Sequence, residues 1–336
     1  MSTTEEASSQ PELPRDRLNS PASTSVPIDG AMLDYKPKRA RPSKIFREMP
    51  LLVKISAIWL ILVVSGAVYA KLDTTLFNGA LPLKDPLLQT NNFDPSTGEF
   101  GTGQKHESPS WAHWLGTDAI ARDTFARLVH GAWVSLIVAA VAAGCGVIIG
   151  GLLGSLVGYV RGRTEIIVMS MIDVILAFPA LILLLALVSI FKVRSLTLIS
   201  VVIGVLGIPA YTRVSRANSL AISNREFVLA AKAIGTKSRT VLFREIIPNV
   251  LPTVLSYAMV AAAFVVVVEG TLSFLGLSVQ LPQPTWGNMI NQARGERRDN
   301  TAQLFWPCLV LTMTVLSLNQ VGDFFQRRTS SRDTSL

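Results

Sequence analysis

Few side chains in this sequence are placed to do chemistry, and their spacing excludes more than it offers. The three histidines, His106, His113 and His130, fall in one segment at separations that match no helical metal pair. They read as polar loop residues. Gly235-Thr-Lys-Ser238 comes nearest to the phosphate-cradling G-x-x-x-x-G-K-[ST], but it lacks the upstream Gly and a preceding strand. Nothing resembles a catalytic triad, so no enzyme active site is expected. Two acids stand apart because they lie inside apolar stretches: Asp173 and Glu269. An acid at the centre of a membrane helix costs ~2.5–3.5 kcal/mol on insertion scales, so each needs wet or paired surroundings. Asp173 admits two readings, a pathway residue or a hydrogen bond to a neighbouring helix. Glu269 divides the same way, with solvation at the outer interface favoured. Pro179, shortly after Asp173, removes a backbone hydrogen bond and predicts a kink that would suit a gate, though static helices kink too.

The elements that must hold these residues are apolar blocks. Charged residues make up 16% of the 336, against roughly 25% in soluble domains, and the mean hydropathy is +0.42. Trp133 to Val160 is 28 residues without a charge, where a helix needs about 20 to cross the hydrocarbon core. Leu51 to Ala70, Ile166 to Phe191, Leu196 to Thr212, Val250 to Leu277 and Leu304 to Phe325 behave similarly, the Leu196 block being the shortest. The reading is an all-α membrane protein with six transmembrane helices. The first block follows fifty polar residues, which is not the pattern of a cleaved signal peptide. Cys145 and Cys308 lie inside predicted helices and read as packing residues.

Lys and Arg set the orientation, since cytoplasmic connections keep an excess of positive charge. With six crossings, twenty Lys and Arg fall on the side of the N-terminal tail and ten on the other. Both termini are therefore expected in the cytoplasm. The charge gives no support to nucleic-acid binding, although the basic tail could touch membrane lipid. The divisions expected are a disordered basic tail over 1–50, a first helix with an extracytoplasmic segment over 51–130, a membrane domain over 131–326 and a cytoplasmic tail over 327–336.

Two further patterns carry information. Gly146, Gly150, Gly154 and Gly158 form a smooth ridge on the second helix, which lets another backbone approach closely, either within the chain or from another subunit. The inner connection from Arg213 to Asn249 is too long to be a plain turn. Ser223 and Glu226 read as a capping box, Phe227, Ala231 and Ile234 then share one face, and Gly235 supplies a stop. A second short helix is expected from Ser238, ending before Pro248. Small apolar residues with basic flanks suit docking into a protein cleft, with lipid headgroups the competing surface.

These residues resemble a known family. Phe227-Val-Leu-Ala-Ala-Lys-Ala-Ile-Gly235, followed by Ile246-Ile-Pro-Asn249, resembles the EAA loop of ABC importer permeases. His113-Trp-Leu-Gly-Thr-Asp-Ala-Ile-Ala-Arg-Asp123 resembles the HPLGTDxxGRD segment of C-type permeases for dipeptides, oligopeptides and nickel. Asp173-Val-Ile-Leu-Ala-Phe-Pro179, Leu272-Ser-Phe-Leu-Gly-Leu277 and Trp286-Gly-Asn288 match in the same order. Leu229 stands where the loop's namesake Glu would be, Glu245 occupies a usual Ile position, and Trp114 and Ala121 replace the usual Pro and Gly. The resemblance implies a type I importer permease (MetI-like) fold with a cytoplasmic coupling helix, and an ABC type-1 permease domain over 131–326. It implies a second homologous permease, two ATP-binding subunits holding ATP and Mg, and an extracytoplasmic solute-binding protein. It places coupling on Phe227, Leu229, Ala230, Ala231, Ile234 and Gly235, while Asp173 and Pro179 remain candidates for the pathway or gate on their own chemistry. The competing reading is an ion-coupled carrier or channel working without an ATPase, in which Asp173 and Glu269 handle the ion.

Overall fold

The computed structural model describes residues 49–77, 83–89, 93–94, 99–100, 104–191, 194–295 and 301–333. The tail expected over 1–50 lies almost wholly outside them. Helix α1 (Leu51–Leu76) follows Pro50. A two-residue antiparallel pair, β1 (Phe93–Asp94) with β2 (Glu99–Phe100), precedes the second span. That span begins at α2 (Thr124–Cys145), where Asp123 caps the helix by accepting the Ala126 N–H at 2.8 Å. It continues through a π-helical turn (Gly146–Gly150) into α3 (Gly151–Val160). Arg161 and Gly162, both with positive φ, reverse the chain into α4 (Arg163–Ala177).

Helix α5 (Ala180–Ile190) follows α4 at an angle of 85°. Pro179 therefore produces a break rather than the expected kink. It cannot donate a backbone hydrogen bond, and it drives Phe178 out of the helical region to ψ 136°. Among the described residues five helices are long and apolar enough to cross a membrane, and six if the bent pair counts as one.

The fourth span departs most from expectation. Helix α6 (Leu196–Ser223) runs for 28 residues instead of stopping near Thr212, so it is not the shortest. Arg213 and Arg216 lie on the helix, and the connection begins only at Asn224. Helix α7 (Glu226–Ala233) is followed by α8 (Ser238–Val241), and the helical run that starts there does not stop before Pro248 as expected. It passes through a π-helical turn (Leu242–Ile246) directly into α9 (Ile247–Phe274). Pro248 is tolerated because it sits in the first turn of α9, where the preceding wide turn has already changed the hydrogen-bond register. Helix α10 (Trp286–Gly295) and helix α11 (Ala302–Asp333) complete the chain.

Helix α6 packs on α2 and α3, α9 on α11 and α2, and α1 on α2 and α11. Three apolar clusters fill the bundle. Val138, Leu184, Ile199 and Leu272 join α2, α5, α6 and α9. Val63, Leu128, Val266 and Trp286 join α1, α2, α9 and α10. Tyr211, Val228, Val241, Ile246 and Val250 seal the end that carries α7.

Candidate functional site

Helix α7 is eight residues long, about 12 Å at ~1.5 Å per residue, and cannot span a bilayer. Val228, completely buried, fixes it onto the α6–α9 base beside Ile222, Val241 and Ile246. The opposite face is bare: Phe227 is 41% exposed and Ile234 82% exposed. Leu229, Ala230 and Gly235 are also exposed, and Ala231 is half-buried. Lys232 folds back over the Tyr159 ring at 4.9 Å, which ties α7 to the end of α3. Four of the six residues expected in coupling thus lie on one small helix and the other two, Ile234 and Gly235, close its end, while its anchor, Val228, was not among them.

The ends of α7 divide between agreement and correction. Gly235 has φ 80°, the Thr236 N–H donates to Ala231 O at 3.1 Å and the Gly235 N–H to Lys232 O at 3.0 Å. These bonds close the helix in a Schellman turn, as the glycine predicts. The capping box is absent. Ser223 still belongs to α6 and donates its hydroxyl to Ser219 O at 2.6 Å, leaving Arg225 as the residue that opens α7. A buried hydroxyl with an acceptor one turn back has no reason to reach across the connection.

The glycine ridge packs within the chain. A Cβ at Gly146 would lie 2.3 Å from the Tyr211 ring, one at Gly154 2.3 Å from Thr212 O, and one at Gly158 2.6 Å from Arg216 O. Gly150 approaches Ile208 O and Tyr211 in the same way. Only glycine lets α3 and its π-helical entry touch the α6 backbone so closely.

Asp173 accepts from Arg213 Nη2 at 2.5 Å. The contact with a neighbouring helix, one of its two readings, is present. Glu165 pairs with Arg216 one step along the same two helices. Glu269 overturns its expectation of interfacial solvation. It is 1% exposed and accepts from Ser135 Oγ at 3.0 Å and Ser278 Oγ at 3.1 Å. Its nominal place near the helix end misleads because the chain after α9 folds back over it.

At the far end of the bundle, the His113 to Asp123 segment is knotted around two carboxylates. Asp118 accepts the Ile120 N–H at 3.0 Å, the Arg122 N–H at 2.9 Å and Arg122 Nε at 2.8 Å, and pairs with Arg127. Burial pushes its carboxyl up, but the Arg122 N–H, the Arg127 charge and the Arg122 side chain outweigh this and hold it below the usual range. Both guanidinium groups also donate to Gln292 Oε1, at 3.1 and 2.8 Å. His113 lies in a loop as expected, though buried against Asp123 at 2.8 Å, whereas His130 lies in α2. Among the described residues no group of His, Cys, Asp and Glu could hold a metal. Trp286 donates to Leu128 O at 3.1 Å, Gly287 fits against Gly270 O, and Asn288 closes a ring with Thr285.

With this geometry in place, residues 150–332 match the family described as binding-protein-dependent transport system inner membrane component. The chain belongs to this family. It is 34% identical over 224 residues to the glutathione transport system permease protein GsiD of Pectobacterium atrosepticum, covering 67% of this chain and 74% of the relative. It is 32% identical over 238 residues to the dipeptide transport system permease protein DppC of Alkalihalophilus pseudofirmus, covering 71% and 77%. A solved structure of the MetNI methionine ABC transporter, at 17% identity, aligns over 60% of this chain and 96% of its own with a TM-score of 0.48.

The protein is thus a multi-pass membrane permease subunit of an ABC importer. The family match runs from the glycine ridge through α7 to α11 and leaves out α1. The two carboxylate knots and the Val228 anchor are what reading the residues missed. Asp118 carried a signal in its T-D-x-x-x-R-D spacing, but Gln292, which accepts from both of its arginines, is 170 residues from Arg122. Val228 carried none beyond being one apolar residue among several.

Proposed function

We propose that this permease forms half of a translocation pathway with a second homologous permease and is driven through the 223–248 segment by two ATP-binding subunits, which hold ATP and Mg. A solute-binding protein delivers cargo on the extracytoplasmic side. Both termini lie in the cytoplasm, the side favoured by the excess of Lys and Arg. The cargo is a short peptide or a related small solute, the class named for both relatives above.

The single observation that carries this reading is the bare face of α7. Phe227, Leu229, Ala230 and Ile234 stand exposed on and at the end of a helix pinned from behind by Val228, so a push on that face reaches α6 and α9 without being absorbed locally. Closure of the ATPases around nucleotide would move α7 as a rigid body and rock the bundle between inward- and outward-facing states. Ala231→Arg tests the idea in the complete transporter, because a long charged side chain cannot enter a cleft shaped for a methyl group. Peptide uptake into proteoliposomes should fall about tenfold or more, a change of ~1.4 kcal/mol in coupling, while the permease pair stays assembled. Unchanged uptake and ATPase activity in an assembled complex would remove α7 from the mechanism. Rapid uptake by this chain reconstituted alone would favour the ion-coupled carrier instead.

A further inference from the structure

A cavity of about 740 Å³ opens between α1, α2 and α11. We propose that it binds one acyl chain of a phospholipid, in the leaflet at the far end of the bundle. Its walls include Trp59, Gly66, Leu128, Val129, Trp286 and Trp306. The Ser65 hydroxyl is turned onto Leu62 O at 2.9 Å, so the lining is essentially hydrocarbon. Volume of that kind does not hold water, which needs several polar partners.

The dimensions fit a single leaflet. Along α1 the lining runs from Trp59 to Tyr69, ten residues or ~15 Å at 1.5 Å per residue. That is half of the ~30 Å hydrocarbon core. The shallow end carries Tyr69, Trp114 and Trp306, with Trp111 close by at 98% exposed. Such amphipathic rings mark the headgroup level.

The polar atoms around the cavity ask nothing of an occupant, as an acyl chain requires. Trp59 donates to Thr314 Oγ1 and Trp286 to Leu128 O, both at 3.1 Å, so these two indoles need nothing from an occupant. The Trp306 N–H, one turn into α11, is closed off from the cavity as it is from solvent, so it too presents nothing polar to an occupant. A Cβ on Gly66 would meet only Val129, at 3.6 Å, which leaves the gap between α1 and α2 open to a methylene chain.

The test uses the transporter assembled with its partner subunits in nanodiscs of phosphatidylethanolamine and phosphatidylglycerol. These are doped with a phosphatidylcholine carrying a mid-chain diazirine, irradiated, and the adducts are mapped by peptide mass spectrometry. Adducts should concentrate on the segments 59–69 and 125–132. Val129→Trp should lower them about tenfold by filling the space, with labelling of the α4–α5 surface unchanged. The same variant should lower the phospholipid retained through detergent purification about threefold. Adducts spread evenly over every exposed helix and indifferent to Val129→Trp would overturn the proposal. So would crosslinking of a Ser65→Cys variant to the partner permease, which would make the occupant a protein helix.

Discussion

Arg213 on α6 donates to Asp173 on α4 at 2.5 Å, and this contact compensates for a helix that packing hardly holds. Only Ile172 is buried along α4. Arg216 and Glu165 repeat the pair on the same helix–helix seam, so two ion pairs and one isoleucine fasten the entry to the broken span.

Breaking the Asp173–Arg213 pair should therefore free α4. A half-exposed pair in water contributes only ~0–1 kcal/mol, but a lone acid facing hydrocarbon costs ~2.5–3.5 kcal/mol on insertion scales. Asp173→Ala and Arg213→Ala should each slow transport about tenfold, ~1.4 kcal/mol. The reversal Asp173→Arg with Arg213→Asp should recover most of the loss in proteoliposome uptake. Strictly additive losses would mean that the two residues act independently.

Two glycines separate packing from propensity. At Gly154 an added methyl would meet Thr212 O at 2.3 Å, whereas at Gly144 nothing lies within 4 Å. Gly154→Ala should cost ~1–3 kcal/mol through the displaced α3–α6 contact. Gly144→Ala should be neutral or gain up to ~1 kcal/mol from helix propensity. Thermal denaturation of the purified transporter compares them directly. Equal shifts would deny the ridge its role.

What could be read from the residues was whatever depends on local physics. Charge-free blocks, the glycine period and the Gly235 stop each have a cause within a few residues, and each reappears in the fold. Pro179 was legible as a disruption but not as an 85° break, because the angle depends on what α5 packs against. Ser223 misled because the capping motif says nothing about whether the preceding helix has ended. Glu269 and Val228 were opaque for a different reason. Their burial is set by Ser278 and Val241, residues brought over them by the fold.

The Asp118 cluster should give the far end of the bundle a dependence on acid. Its folded carboxyl titrates below the usual value of 3.8, held there chiefly against burial by the Arg122 N–H and the Arg127 charge. Its stabilising contribution is thus fully present above the unfolded value and is lost as pH falls through the lower, folded value. Hydrogen exchange of residues 104–130 should stay protected at pH 6 and rise below about pH 4. Asp118→Asn should weaken protection at pH 6 and flatten the acid response of this segment. An unaltered acid profile in that variant would assign the effect to another group.

Glu269 differs from these because its partners are neutral. Ser135 and Ser278, both buried, point their hydroxyls at its two oxygens. Glu269→Gln keeps the shape and an acceptor, and its amide group can donate to a serine oxygen. It should cost about 1 kcal/mol or less. Glu269→Ala removes both acceptors and opens a cavity, and should cost ~3–5 kcal/mol. The discriminating variant is Glu269→Ala combined with Ser135→Ala and Ser278→Ala. Replacing all the polar partners together leaves no donor unmet, so stability should return part of the way even though more side-chain atoms are missing. Thermal melts of the four proteins decide it: a triple variant less stable than Glu269→Ala would mean that the serines stabilise the bundle by themselves.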